Sequence, residues 1–157
     1  MSRLEVPVRD RTLYATGDVL LRVELDLDIK TSSGAWRPET ILVDSGTEIT
    51  TFPAWLAKQE GCPMPQNPTR HAIHGQTGLE IRSGLLRFKI VGMDQTEYAL
   101  ACLFLGDPNS RPSVNAPAGV VPRKLLQPLQ LLDVLRFEMR KDPAAGLAYG
   151  GMVVEKV

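Results

Sequence analysis

Ile41-Leu42-Val43-Asp44-Ser45-Gly46-Thr47 runs three apolar residues directly into a carboxylate, two hydroxyls and a glycine. The apolar run reads as a buried strand. It delivers Asp44 to a low-dielectric interior, where an ionised acid is costly unless donors surround it. Ser45 and Thr47 supply hydroxyl donors within three residues, and Gly46 lets the backbone turn back beneath the carboxylate. An Asp-Ser-Gly triplet alone is a common turn, because Asp and Ser bond their own backbone and Gly accepts positive φ. The apolar run before it and the threonine after it set this one apart.

Working outward, Leu21, Val23, Leu25, Leu27 and Ile29 alternate with Arg22, Glu24, Asp26 and Asp28, the period-two pattern of a strand with one buried face. Thr31-Ser32-Ser33-Gly34 supplies a turn, and the run from Trp36, interrupted by Pro38, returns to Val43. The two strands form a hairpin aimed at Asp44. After the loop, Ile49-Thr50-Thr51-Phe52 reads as a further short strand, and Pro53 opens a helix of about two turns over 54–60 that Gly61 closes. The proline-rich connection 62–68 cannot join a central ladder and must cross the surface. Trp36 and Trp55 read as core anchors.

Residues 71–81 form two alternating arms around a polar tip, His74-Gly75-Gln76-Thr77-Gly78, and predict a mobile hairpin. A second, more apolar hairpin is expected from 85–91 and 98–105 in the core sheet, followed by a long loop over 106–118. From Arg123 the spacing of Leu125, Leu126, Leu129, Leu132 and Leu135 turns helical, with Pro128 inside as a break point. Residues 134–139 and 152–157 read as closing strands. The pattern predicts a mostly β fold, closed like a barrel, with one or two short helices. It forms one domain over 1–157, with its core at about 18–141 and a C-terminal strand segment at 146–157.

A chain of 157 residues, 43% apolar, builds one core. Its 18 basic and 18 acidic residues balance and are scattered, so neither nucleic acid nor an anionic membrane is an expected partner. Cys62 and Cys102, forty residues apart, make neither a disulfide framework nor a zinc pattern. His71 and His74 fall on opposite faces of a hairpin with no third ligand, so no metal is expected. A charged N-terminus and the lack of any run near the roughly 18 apolar residues of a membrane span predict a cytoplasmic protein.

This order of elements, from about Leu20 to Met139, resembles the retropepsin-like aspartic proteases, a single-domain family with retroviral and bacterial members. Asp44-Ser45-Gly46-Thr47 matches the family's Asp-Thr/Ser-Gly-Ala/Ser/Thr loop, and the hairpin at 70–81 stands where the family has its flap. Residues 120–126 are similar to the segment that opens the family's C-terminal helix, although Pro122 replaces its glycine and Lys124 its asparagine.

The resemblance implies an aspartic endopeptidase without metal or cofactor. Its chemistry needs two carboxylates sharing a proton and a water, and a chain with one such loop must find the second Asp44 in a homodimer. Ser45 would then bond across the two-fold axis, the Gly46 N–H would reach the carboxylate, and Thr47 would donate from outside. Glu48 would pair with Arg123. The substrate would be an extended peptide held under the flap residues 74–78, with Leu42, Phe52, Ile73 and Ile81 as expected pocket walls. The alternative is a catalytically inactive dimerisation or peptide-binding module that keeps the fold.

Overall fold

Alternation of apolar and polar residues, the pattern that dominates this chain, is realised as strand over 54% of the protein. The computed structural model describes residues 3–12, 19–68, 70–72, 79–111, 124–142 and 147–157. In chain order the elements are β1 (Arg3–Pro7), β2 (Arg9–Thr12), β3 (Val19–Arg22), β4 (Glu24–Lys30), β5 (Trp36–Val43), β6 (Thr50–Pro53), α1 (Ala54–Glu60), β7 (Arg70–Ala72), β8 (Leu79–Ile90), β9 (Tyr98–Leu105), β10 (Leu125–Leu126), β11 (Leu135–Asp142) and β12 (Leu147–Lys156).

The central sheet runs β4-β5-β10-β6-β9-β8-β7, and β4 also pairs with β8. Six of its strands, β4, β5, β10, β6, β9 and β8, therefore close into a ring from which β7 projects. Each ring strand turns one face inward. Along β4, Leu25, Leu27 and Ile29 are fully buried while Asp26, Asp28 and Lys30 are half-exposed. Ile41, Phe52, Leu86, Phe88, Ile90, Phe104 and Leu126 complete this core, and burying such side chains at about 25 cal/mol per Å² is the main stabilising term. A separate three-stranded antiparallel sheet, β1-β12-β11, brings the two ends of the chain together.

The helix falls where proline and glycine place it. Pro53 precedes the first turn, and Gly61 takes φ 75°, the left-handed conformation that ends a helix, with its N–H donated to Lys58 O. Ala54 and Ala57 face inward. The hairpin that leads to Asp44 forms as read, with Leu25 opposite Ile41 and Lys30 opposite Trp36.

Several expectations are corrected. Among the described residues no α-helix follows position 123: Leu125–Leu126 is a strand, Pro128–Leu131 is a single 3-10 turn, and Leu135 already begins β11. Pro128 has no N–H to give an α-helical ladder, and the backbone before it is claimed by strands on both sides. The long alternating strand breaks at Val23 into β3 and β4. The hairpin of 85–91 with 98–105 does form in the core sheet, with Leu85 opposite Ala101 and Phe88 opposite Tyr98, but its first arm is not separate from the flap-like hairpin, because β8 runs unbroken from Leu79 to Ile90. The closing strands 134–139 and 152–157 are Leu135–Asp142 and Leu147–Lys156, and they lie outside the ring. Trp36 and Trp55 are half-buried rather than core anchors, with Lys89 Nζ 4.2 Å from the Trp36 ring centroid and Arg111 5.5 Å from that of Trp55. Cys62 and Cys102 are buried free thiols.

Candidate active site

Asp44 sits where β5 leaves the sheet, and backbone bonds fix that point from two sides. Leu42 N donates to Lys124 O at 2.9 Å and Asp44 N to Leu126 O at 3.0 Å, so β10 runs parallel beside the strand end. On the other side Val43 N donates to Val23 O at 3.1 Å. β10 is also antiparallel to β6, with Leu125 opposite Thr51. Two residues of β10 therefore tie the strand before Asp44 to the strand after it.

Beyond β5 the chain turns at once, and Thr47 N donates to Asp44 O at 3.4 Å. The turn folds the loop's own donors onto the carboxylate. Gly46 N donates to Oδ1 at 2.8 Å and Thr47 Oγ1 to Oδ2 at 2.8 Å, one donor to each oxygen. A Cβ at position 46 would stand 3.3 Å from Oδ1, tighter than ordinary contact, so a glycine lets the amide approach. Asp44 and Thr47 are half-buried and Ser45 is exposed. An ionised acid held at both oxygens still has lone pairs free to accept from a water or a second carboxyl.

The remaining site expectations divide. Leu42 is half-buried, two residues before Asp44. Phe52 is fully buried, with its ring edge-on to Phe104 at 6.4 Å, and Ile81 is 6% exposed. Both belong to the core and not to a pocket wall, because their inward-facing strand positions leave no surface for a substrate. Glu48 is exposed, and its expected partner Arg123 lies outside the described residues. So do Ile73 and the flap tip, His74, Gly75, Gln76, Thr77 and Gly78. The two arms of that hairpin are in place, with Arg70 opposite Ile81, His71 opposite Glu80 and Ala72 opposite Leu79.

Sequence reading missed β10 and the residue after it. Gln127 is 4% exposed and its Oε1 has no hydrogen-bond partner, one residue past the carbonyl that holds Asp44 N. The signal was the apolar pair Leu125-Leu126 stopped by Pro128, which suits a two-residue strand as well as a helix start. Among the described residues no three of His, Cys, Asp and Glu are grouped to hold a metal ion, and no helix is long and apolar enough to cross a membrane.

Thr47→Val removes the hydroxyl from Oδ2 and keeps the side-chain shape. A hydrogen bond to a charged group is worth about 1.5–3 kcal/mol when shielded and less when half-exposed, so any turnover that depends on Asp44 should fall about tenfold. The thermal midpoint should stay close to the wild-type value. Steady-state rates beside a melting curve check both, and an unchanged rate would mean that this bond does not serve the chemistry.

No family model, curated protein or solved structure matches this chain.

Proposed function

We propose that the chain is one protomer of a homodimeric aspartic endopeptidase with a closed-barrel, retropepsin-like fold, acting on extended peptides in the cytoplasm, where its buried thiols stay reduced. The observation that carries this reading is the Asp44 carboxylate at the end of β5, each oxygen held by one donor from its own loop. A carboxylate so held is preorganised for proton transfer, and only one such loop occurs in the chain. Two protomers facing each other supply the pair.

In the dimer one Asp44 is ionised and the other carries the shared proton, since two adjacent carboxylates do not both ionise. The ionised one takes a proton from the bound water as its oxygen attacks the scissile carbonyl carbon. The protonated one donates to the carbonyl oxygen, giving a gem-diol. The amide nitrogen is then protonated, the C–N bond breaks, and a carboxylic acid and an amine leave. Ser45, exposed beside the acid, would bond to its counterpart across the two-fold axis. The hairpin β7–β8 supports the strand-addition surface that an extended substrate pairs with.

One observation favours the second reading, a catalytically inactive dimerisation or peptide-binding module. Leu129, on the 3-10 turn that stands where the family has a helix, and Leu132, which caps that turn, are 55% and 47% exposed. Cleavage of a diverse peptide library between about pH 4 and 7, with molar mass recorded by light scattering, separates the two. The protease reading expects cleavage whose specific rate falls in proportion on dilution below the dimer dissociation constant. A folded dimer that cleaves nothing favours the binding module. Cleavage with a specific rate unchanged by dilution into the monomer range would refute a shared site.

A further inference from the structure

β8 is the longest strand of the ring, and its two neighbours on one side stop short of each other. β7 pairs with it at 79–81 and β4 at 88–90, whereas β9 runs along the other side without a break from Ile81 to Phe88. Among the described residues, Gly84, Leu85, Leu86 and Arg87 therefore have a strand partner on one side only. A strand directs its N–H and C=O groups to the two sides in alternation, so two of these four residues present unpaired backbone to the gap.

The gap opens into a cavity of about 530 Å³, a size that takes a small ligand or a few residues of peptide. The proline-rich connection forms its floor. A Cβ on Gly84 would point inward, 2.9 Å from Phe104 Cε2 and 3.6 Å from Pro65 Cδ, and the half-buried Met64 lies beside that proline in the lining. Leu85 points the other way and is 50% exposed on the outer rim. The rim carries charge of one sign. Among the described residues that line the cavity, Lys30 and Arg87 are the charged ones, and the acid beside them serves both: Glu97 lies 3.3 Å from Lys30 Nζ and 3.9 Å from the Arg87 guanidinium. One carboxylate against two cations leaves net positive charge above an apolar floor.

We infer that this gap is a docking site for an extended peptide segment of a partner protein, one that alternates apolar and acidic side chains and adds as a short strand along residues 84–87 of β8. Its backbone pairs with the open edge of β8. Side chains of a strand alternate between faces, so its apolar residues meet Met64 and Pro65 while its carboxylates lie beside Lys30 and Arg87. A small carboxylate would satisfy the cations and leave the strand edge unused, so the geometry favours a peptide. The site stands apart from Asp44. Lys30, Thr31 and Ser32, which line it, lie where β4 turns into β5, and Asp44 follows the far end of that eight-residue strand, roughly 25 Å of extended chain away. Docking here does not depend on whether the protein cleaves peptides.

The probe is a short, capped, fluorescein-labelled peptide of alternating valine and glutamate, with a valine–lysine peptide as control. Fluorescence anisotropy with the full chain should show saturable binding of the first and not of the second, weakening as salt is raised from about 50 to about 300 mM. Arg87→Glu and Lys30→Glu should each weaken binding about tenfold, whereas Asp44→Asn should bind as the wild type does. Both reversed side chains are partly exposed, at 49% and 36%, and melting curves check that the variants fold. In amide NMR spectra the peptide should shift Gly84, Leu85, Leu86 and Arg87 more than the residues flanking Asp44. No saturable binding, equal binding of the lysine peptide, binding indifferent to both charge reversals, or shifts centred on Asp44 would each overturn the site. If a charge-reversal variant does not fold, the wild-type NMR map and the lysine control decide.

Discussion

A purified Asp44→Asn variant is expected to fold as the wild type does and to cleave nothing, a loss of about 10³-fold or more. The geometry explains why the fold survives. Asn Oδ1 accepts the Gly46 N–H that Asp44 Oδ1 accepts at 2.8 Å, and the Asn amide donates to Thr47 Oγ1, which now donates to Oδ2 at 2.8 Å. The turn keeps both of its bonds with one of them reversed. What disappears is the group that binds and releases a proton. Because the acid is shared across the proposed two-fold axis, each dimer of the variant lacks both members of the pair, and mixed dimers lack one. Mixing variant into wild type should therefore lower activity faster than the wild-type fraction falls. A melting curve and a molar mass that match the wild type, beside a progress curve that stays flat, are the expected results. Normal hydrolysis by the variant would remove Asp44 from the chemistry and with it the proposed mechanism.

The parts of this fold legible in the sequence were those in which one local signal had one structural outcome. Alternation from Leu25 to Ile29, a Ser-Ser-Gly turn and a second apolar run could only become the β4–β5 hairpin. Pro53 and Gly61 bracketed α1 to the residue. The donors around Asp44 were legible for the same reason, since Gly46 and Thr47 lie within three residues of the acid they bond. What was not legible depends on long-range partners. Leu125 and Leu126 carry helical spacing with the leucines that follow, yet they form a strand because β5 and β6 leave an unpaired lane between them. Phe52 and Ile81 looked available as pocket walls because sequence shows that a residue is apolar and not which face of its strand turns inward. The pairing of Glu39 on β5 with Lys124, just before β10, joins distant parts of the sequence, and no local pattern announces it. The site is thus assembled from a legible loop and an illegible clamp.

The clamp depends on the packing beneath it, and Phe104→Ala should show how strongly. Phe104 on β9 stands opposite Phe52 in the parallel β6–β9 pairing, and the two fully buried rings meet edge to face at 71°. Below it the backbone of Gly84 comes so close that a Cβ there would stand 2.9 Å from Phe104 Cε2. The ring therefore fills the space that a side chain on β8 would otherwise take. Removing it leaves a void lined by Gly84, which has no side chain to move in, and by strands of a closed ring that cannot collapse independently. The loss should lie near the upper end of the range for such truncations, about 3–5 kcal/mol, against a total stability of about 5–15 kcal/mol for a domain. Urea unfolding followed by circular dichroism should place the midpoint roughly 1–2 M lower. Phe104→Leu, which keeps much of the volume, should lose less than half as much. Because β6 also pairs with β10, and β10 carries the carbonyl that holds Asp44 N, thermal inactivation should follow the same order as unfolding. The rate per folded molecule well below the transition should stay near wild type, since Phe104 touches none of the reacting groups. A Phe104→Ala midpoint indistinguishable from wild type would mean that the ring at β6, β9 and β8 does not carry the packing load that its burial assigns to it.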